Sequence, residues 1–221
     1  MDRNELHRII ESTACGSKLL STDIPSIDLY IDQIITLVNE KMGEDAQKNG
    51  ERLLTKTMIN NYSKDDIIKP IKGKKYTKEH IIQMLLVYSL KGTVSISEIK
   101  RLIHGIYDQK GFDGERLTAC YDRFVGIRNN VHEKISDWID DFLKEYSLDV
   151  ENEDDFLVAL MVFISLSSQF RYLAEKLIES HYEDYEEIKK EKPEKKEKKD
   201  KKEVKKEVKK EHKKEVKDEK N

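Results

Sequence analysis

The residue types with the clearest chemical potential form a polar strip near position 60 of the 221-residue chain. Lys56, Thr57, Asn60, Asn61 and Lys64 recur at i, i+1, i+4, i+5 and i+8, so they share one face if the segment is helical. An asparagine amide can donate and accept at once, which matches two edge atoms of adenine, and a lysine ammonium group can bind a backbone phosphate. The strip therefore has the chemistry to bind double-stranded DNA.

A short amphipathic helix is the element that would position this strip. Thr55 can cap the helix, because a threonine hydroxyl accepts hydrogen bonds from backbone amides one turn inside. Met58, Ile59 and Tyr62 fall on the face opposite the strip. We expect that apolar face to be part of the core, which would turn the polar strip outward.

A compact basic loop follows this helix. Pro70 ends any helix, since proline lacks the backbone N–H group. Residues 71–76, called the wing below, contain three lysines, a glycine that suits a turn and a closing tyrosine. The lysines and the tyrosine are Lys72, Lys74, Lys75 and Tyr76. We expect the wing to be either a plain loop or a small two-stranded β structure.

Amphipathic helices flank the wing on both sides. Residues 28–42 carry aliphatic side chains at spacings of three and four, which predicts the first helix of a helix-turn-helix. Thr77 can cap a helix after the wing, and Ser95 with Glu98 predicts a capping box for another. Residues 43–52 exceed the three or four residues of the usual turn, so either they loop out or the first helix is short.

The order of these features resembles the winged helix-turn-helix of the MerR-like transcription regulators. In that family the recognition helix ends in a tyrosine, two aliphatic residues lead to a proline, and a basic wing closes on a second tyrosine before a long helix and a Ser-Leu-x-Glu-Ile-like start. The matching positions here are Tyr62, Ile67, Ile68, Pro70, Tyr76 and Ser95 through Ile99. Two positions differ, since Asn60 stands where arginine is usual and Asp66 where glycine is usual.

The resemblance implies sequence-specific binding of double-stranded DNA and a role in transcription regulation. Residues 24–128 look more closely like a bacterial family of uncharacterised proteins that carries this unit, and that family supplies no assigned activity. The expected DNA-binding residues are Lys56, Thr57, Asn60, Asn61, Tyr62, Lys64, Lys72, Lys74, Lys75 and Tyr76.

Residues 105–188 are predicted to form a long helical hairpin. One apolar face runs from residue 117 to residue 146 through about eight turns, and Asn152 can cap a second long helix. Between residues 156 and 166 this second helix is apolar nearly all round, so it must be covered on more than one side. The winged unit, a second subunit or both can cover it. In the resembled regulators a C-terminal helix makes an antiparallel dimer, and we predict a homodimer.

The chain therefore divides into four predicted parts. Residues 1–23 are expected to be a loosely ordered start, residues 24–104 the winged helix-turn-helix and residues 105–188 the helical region. Residues 189–221 form a tail of low complexity, which we predict to be disordered because its few valines cannot bury a core. The predicted class is all-α, with the small β wing as the one place where strands can form.

Charge is divided unevenly along the chain. The tail contains 17 lysines and 10 acidic residues, and residues 52–80 contain eight basic and three acidic residues. Since the whole chain has a net charge of −3, the remaining residues are strongly acidic. A basic surface on an acidic body attracts phosphate from one direction, which fixes orientation as well as affinity. The alternative is that the lysines only populate solvated loops.

Other classes of function find little support in the sequence. The six histidines and two cysteines show no metal spacing, no glycine-rich loop follows a strand, and no apolar leader precedes a cleavage site. The longest nearly apolar run has 11 residues, against ~20 for a bilayer span. We therefore predict a cytoplasmic protein with no enzymatic activity, no cofactor, no metal site and no membrane span. The competing hypotheses are a non-catalytic protein-interaction module on a winged-helix fold and an enzyme with an unrecognised helical active site.

Overall fold

The computed structural model describes residues 1–13, 19–48, 54–71 and 73–183, and the side chains of residues 42–48 lie outside this description. This part of the chain is predominantly helical, which confirms the all-α class. The helices are α1 (Arg3–Ser12), α2 (Ile31–Lys48), α3 (Lys56–Lys64), α4 (Lys78–Leu90), α5 (Ile96–Tyr107), α6 (Gly114–Glu133), α7 (Ile135–Glu145) and α8 (Glu153–His181). The strands are β1 (Leu29–Tyr30) and β2 (Lys75–Tyr76). The predicted tail lies outside the described residues.

The two strands form one small antiparallel sheet. Leu29 is opposite Tyr76, and Tyr30 is opposite Lys75. The end of the wing therefore pairs with the residues just before α2. The sequence indicated strand character only for the wing, because two residues are too few for an alternating pattern to identify β1.

The larger of two hydrophobic clusters surrounds α4. Eight of the 13 residues of α4 are buried, and they lie on all sides of the helix. Side chains from α2, α3, α5 and α6 cover it, and so does Leu19 from the segment before β1. Tyr121 on α6 donates a hydrogen bond from its hydroxyl group to the Leu19 carbonyl oxygen at 2.8 Å. This cluster positions both α3 and the wing.

Helix α1 near the start of the chain has a cap and a buried apolar face. Asp2 caps α1 by accepting a hydrogen bond from the Glu5 amide at 2.7 Å. Leu6 and Ile10 enter the smaller hydrophobic cluster, together with Ile139 on α7. Within the start that was expected to be loosely ordered, residues 3–12 thus form a helix with buried side chains, and its apolar partner lies more than 100 residues away in the chain.

The long helix predicted between residues 117 and 146 is two helices. Lys134 ends α6 and precedes α7, with a φ of −97° and a ψ of −5°. Leu117, Tyr121 and Val125 enter the larger cluster, whereas Ile139 enters the smaller one. A single apolar periodicity thus serves two cores. Helix α2 likewise continues to Lys48, so part of the polar segment at residues 43–52 is helical.

The last helix, α8, is attached near both ends. In its first half, Phe163 packs against Phe142 of α7 with tilted rings whose centroids are 5.4 Å apart, and Ala159 is buried in the smaller cluster. At its other end, α8 contacts α5. The predicted hairpin is therefore formed by α7 and α8, and the longer α8 continues past α7 to α5.

Asp66, one of the two departures from the MerR-like pattern, closes the C-terminus of α3. Its φ is +56°, a left-handed conformation that glycine adopts most easily. The Asp66 amide donates to the Ser63 carbonyl oxygen, and the Ile67 amide donates to the Tyr62 carbonyl oxygen. These two bonds define a Schellman motif, in which the left-handed position is usually glycine. The chain keeps the backbone geometry and places an aspartate in it.

Replacing Asp66 tests this left-handed geometry. We expect Asp66→Gly to leave the free energy of unfolding unchanged or raise it by up to about 1 kcal/mol, and Asp66→Val to lower it by about 1–2 kcal/mol. Asp65→Gly is the matched control, since Asp65 has a φ of −82° and glycine there should destabilise by about 0.5–1 kcal/mol. Urea unfolding near pH 7.5 measures all three. Equal losses for the two glycine variants would contradict the assignment.

Candidate DNA interface

Helix α3 turns its polar strip outward, as predicted. The strip residues Lys56, Thr57, Asn60, Asn61 and Lys64 are all exposed. On the opposite face Ile59 and Tyr62 are buried. The Thr55 hydroxyl oxygen accepts a hydrogen bond from the Met58 amide at 3.2 Å, so the predicted cap is present.

The two asparagines of the strip keep their amide groups free for an external partner. Among the described residues, neither Asn60 nor Asn61 makes a side-chain hydrogen bond to another residue, although the Asn61 backbone carbonyl accepts one from the Asp65 amide. A role in closing the helix end through side-chain bonds is therefore not observed. Their donor and acceptor atoms point to solvent from the middle of α3.

The wing lysines that the structure describes are also exposed. Lys74 and Lys75 follow Gly73, whose φ of +80° makes the turn. Lys72, the third predicted lysine, lies outside the described residues. The wing thus presents ammonium groups next to a turn that glycine accommodates without strain.

The two predicted tyrosines have a different position from the rest of the set. Tyr62 and Tyr76 are each only 5% exposed. Burial raises the pKa of the Tyr62 hydroxyl, so this residue is neutral at physiological pH. Tyr76 makes an edge contact with the ring of His80, with centroids 6.1 Å apart. Both tyrosines anchor their elements to the core, and the outward surface belongs to the polar residues.

Helix α3 and the wing converge on the start of α2. The Lys75 ammonium nitrogen lies 5.0 Å from the centre of the Tyr30 ring, which is about half exposed. Two residues further on, an Asp32 oxygen lies 4.0 Å from the Lys56 ammonium nitrogen. That ion pair is highly exposed and contributes little energy, but it shows that the two basic elements share one surface. Sequence reasoning missed Tyr30, which immediately precedes α2.

We call this surface the candidate DNA interface. It consists of Tyr30, Lys56, Thr57, Asn60, Asn61, Lys64, Lys74 and Lys75.

A polar network beneath the wing holds the connection between α3 and α4. The Lys69 amide donates to the Gln83 side-chain oxygen at 3.0 Å, and Gln83 donates to the Tyr107 hydroxyl at 2.7 Å. Tyr107 in turn donates to Glu79 at 2.7 Å, and the Lys69 ammonium group lies 2.8 Å from the same Glu79 oxygen. Lys69 also sits over the Tyr107 ring. The segment just before the wing is therefore fixed to both α4 and α5.

The pKa values in this network favour its observed charges. Burial, together with the adjacent Glu79 carboxylate, raises the pKa of Tyr107, so the phenol keeps the proton that it donates. Burial alone would raise the pKa of Glu79, but hydrogen bonds from Lys69 and Tyr107 outweigh it and lower the pKa. No local pattern in the sequence predicts this network, because its members come from three separate segments, the α3–α4 connection, α4 and α5.

Two histidines hold the two ends of the α3–α4 connection. His80 accepts a hydrogen bond at Nδ1 from the Thr77 amide at 3.2 Å, and an amide can only donate, so this nitrogen carries no proton. His104 on α5 lies with Nε2 2.5 Å from the Asp66 carbonyl oxygen, to which it donates. Burial lowers the pKa of both histidines. Both are therefore neutral in the folded protein near neutral pH.

Acidification should weaken the fold through these histidines. Because their folded-state pKa values lie below the ordinary 6.5, their stabilising effect is fully present above pH 6.5 and is lost as pH falls toward the folded-state values. The loss is at most about 1.4 kcal/mol per pH unit for the buried His80 and less for His104, which is only partly buried. Urea unfolding at pH 7.5 and 5.5 measures it.

The control for this pH effect is the double variant His80→Gln/His104→Gln. Glutamine at position 80 can still accept the Thr77 amide, as in an ordinary capping box. The variant should lose most of the stability difference between the two pH values. An unchanged difference would show that other groups cause it.

Residues 19–124 match a family model described as a domain of unknown function (DUF1836). The comparison with curated proteins gave no match, and neither did the comparison with solved structures. The matched residues run from Leu19, which is also the first residue of the larger cluster, to within one residue of its last member, Val125. This agrees with the predicted likeness to an uncharacterised family, while the finer MerR-like resemblance stays a prediction. The unit that carries the candidate DNA interface is thus similar to a domain of unknown function, and α1, α7 and α8 lie outside the match.

Proposed function

We propose that this protein binds double-stranded DNA in a sequence-specific manner and regulates transcription. The observation that supports the proposal best is the convergence of α3 and the wing on the start of α2. Lys56 lies beside Asp32, and Lys75 lies over Tyr30, so the two basic elements present one continuous surface. In the proposed mode, α3 enters the major groove and the wing contacts the phosphate backbone.

The division of labour in this interface follows from residue chemistry. Asn60 and Asn61 carry paired donors and acceptors that distinguish base edges, whereas lysine ammonium groups bind phosphates without regard to sequence. The order of α2, α3, wing and α4 corresponds to the proposed winged helix-turn-helix. The acidic remainder of the chain would keep other surfaces away from the phosphates. A cytoplasmic location follows from the proposed DNA partner.

Helix α8 supports a second part of the proposal, a homodimer. Thirteen of the eighteen exposed large hydrophobic residues among the described residues lie between positions 127 and 177. On α8, Leu157, Leu160, Met161 and Ile164 are 42–59% exposed and recur at i, i+3, i+4 and i+7. This spacing is typical of a coiled-coil seam. An exposed apolar surface of this extent marks an interaction site in a soluble protein.

The lengths of the helices show how much of α8 needs a partner. Helix α7 has 11 residues and spans about 16 Å, whereas α8 has 29 residues and spans about 43 Å. Within the described residues of α8, only Ala159 is buried. A second α8 running antiparallel across the exposed strip would cover it by a self-complementary contact, as two-fold symmetry requires.

A membrane is the other candidate partner of α8. Of the described helices, α8 is the one long and apolar enough to cross a bilayer by length and composition. However, α7 contacts its first half through Phe163, and Arg101 of α5 binds backbone carbonyl groups at its end. A spanning α8 would place α7 and α5 on opposite sides of the membrane. A second copy of the chain is therefore the partner that we propose.

Two kinds of substitution should separate base contacts from phosphate contacts. We expect Asn60→Ala or Asn61→Ala to cost about 1–3 kcal/mol of binding energy on a preferred DNA site and much less on scrambled DNA. Lys74→Ala and Lys75→Ala should weaken binding to both DNAs equally and lower the salt slope by about one. The preferred site comes from selection on a random DNA pool, and affinity is measured by titration at several salt concentrations.

Matched controls lie on the helical region. Asn130 on α6 and Lys144 on α7 are exposed residues of the same types outside the candidate DNA interface. Their alanine variants should bind DNA like the unchanged protein. Equal losses for the asparagine variants on both DNAs would remove their recognition role. Absence of any DNA retention near physiological salt would favour the protein-interaction module.

Introducing negative charges into the exposed strip of α8 tests the proposed homodimer. The full chain should sediment as a dimer at micromolar concentration, and Leu160→Glu/Ile164→Glu should sediment as a folded monomer, because two carboxylates cannot be buried without a partner charge. Ile27→Glu is the control, since Ile27 is exposed outside the helical region. A monomeric unchanged chain would refute the dimer. Recovery of the chain only with detergent or vesicles would favour the membrane.

A further inference from the structure

We infer that Arg101, Gly105 and Tyr182 are positioning residues for the wing: they fix the end of α8 to α5, and α5 holds the α3–α4 connection in place. The link to DNA binding rests on the proposed function, but the mechanical link between α8 and the wing does not. None of the three residues belongs to the candidate DNA interface.

Arg101 joins the two helices through backbone contacts. Its Nε atom donates to the Tyr182 carbonyl oxygen at 2.6 Å, and its Nη2 atom donates to the Glu179 carbonyl oxygen at 3.1 Å. The last carbonyl groups of a helix lack partners within the helix, so a guanidinium group from another helix satisfies them. Two bonds from one planar group also fix the angle at which α8 meets α5.

Gly105 allows the close approach of Tyr182. A Cβ atom at position 105 would overlap Cδ1 and Cγ of Tyr182 and would lie 2.9 Å from its Cβ. Arg101 and Gly105 are four residues apart, so both lie on the face of α5 that meets α8. By contrast, a Cβ at Gly126, also inside a helix, would meet no atom within 4 Å. Gly105 is therefore required by the contact between α5 and Tyr182, and not by the helical conformation of α5.

The same short helix holds the α3–α4 connection on a neighbouring face. His104 donates to the Asp66 carbonyl oxygen, and Tyr107 bonds to Glu79, which pairs with Lys69. The contact with α8 thus lies within two residues of both groups that hold the connection. Since a hydrogen-bonded helix moves as a unit, a shift of α5 at Gly105 displaces His104 and Tyr107 together.

The contact between α5 and the end of α8 joins the matched segment to residues outside it. The match ends at residue 124, whereas Glu179 and Tyr182 lie beyond it. The chain thus adds a helix whose end is fixed to the unit that carries the wing.

The experiment compares Gly105→Ala with Gly126→Ala in the full-length protein by hydrogen exchange without DNA. We expect Gly105→Ala to speed amide exchange about tenfold both in residues 175–182 and in residues 66–76, while Gly126→Ala changes neither segment. The double variant Gly105→Ala/Tyr182→Gly removes the overlapping ring and should restore the slow exchange of residues 66–76. Faster exchange at the end of α8 alone would overturn the inference.

Two further measurements keep the test decisive. If Gly105→Ala unfolds the whole chain, Arg101→Gln takes its place, because this substitution removes the two carbonyl contacts without adding atoms. Titration with the preferred DNA should show weaker binding for the variant that loosens the wing and unchanged binding for Gly126→Ala. If the unchanged protein binds no DNA, the proposed function fails, while the exchange result still decides whether α8 positions the wing.

Discussion

The structure depends on the all-round burial of α4, a helix that nevertheless carries polar side chains. Gln83 is fully buried and His80 nearly so. A buried polar group without a partner costs on the order of 1–3 kcal/mol, so these side chains must find partners nearby. The Gln83 side-chain oxygen and His80 Nδ1 find them in the backbone of the α3–α4 connection, where Lys69 and Thr77 donate their amides, whereas the buried His80 Nε2 has no partner among the described residues. The hydrogen bonds that these buried side chains require thus hold the α3–α4 connection, which contains the wing, in place.

The packing of the core also decides which residues of α3 and β2 are exposed. The rings of Tyr62 and Tyr76 pack in the core, whereas asparagine and lysine occupy exposed positions of α3 and β2. These polar groups contribute little to the packing of the chain. Asn60 and Asn61 make no side-chain hydrogen bond within the described residues, and Lys56 and Lys75 make only exposed surface contacts, so these residues are available for the proposed DNA partner. The proposed function is the use that best accounts for this surface.

The smaller hydrophobic cluster contains the helices that lie outside the family match. Helix α1 packs on α7, and α8 extends from that cluster back to α5. Neither α1 nor α8 belongs to the segment that matches the domain of unknown function. The chain therefore joins the unit that matches this domain to α8, whose apolar surface exceeds what the other described helices cover. This arrangement connects the proposed dimer contact to the proposed DNA contact through α5.

Local sequence determined the elements whose signals are local. The period of apolar residues and the Thr55 cap identified α3 and its outward strip, and Ser95 with Glu98 identified the start of α5. Only the tertiary structure decided how the elements meet. The tertiary structure packs α1 on α7, pairs β1 with β2 and bonds Arg101 to Tyr182, and no periodicity relates these segments. The end of α6 at Lys134 was likewise hidden, because one apolar periodicity continues through it. The reason is physical: a pattern shows which face of a helix is apolar, but what covers that face is set by residues distant in the chain.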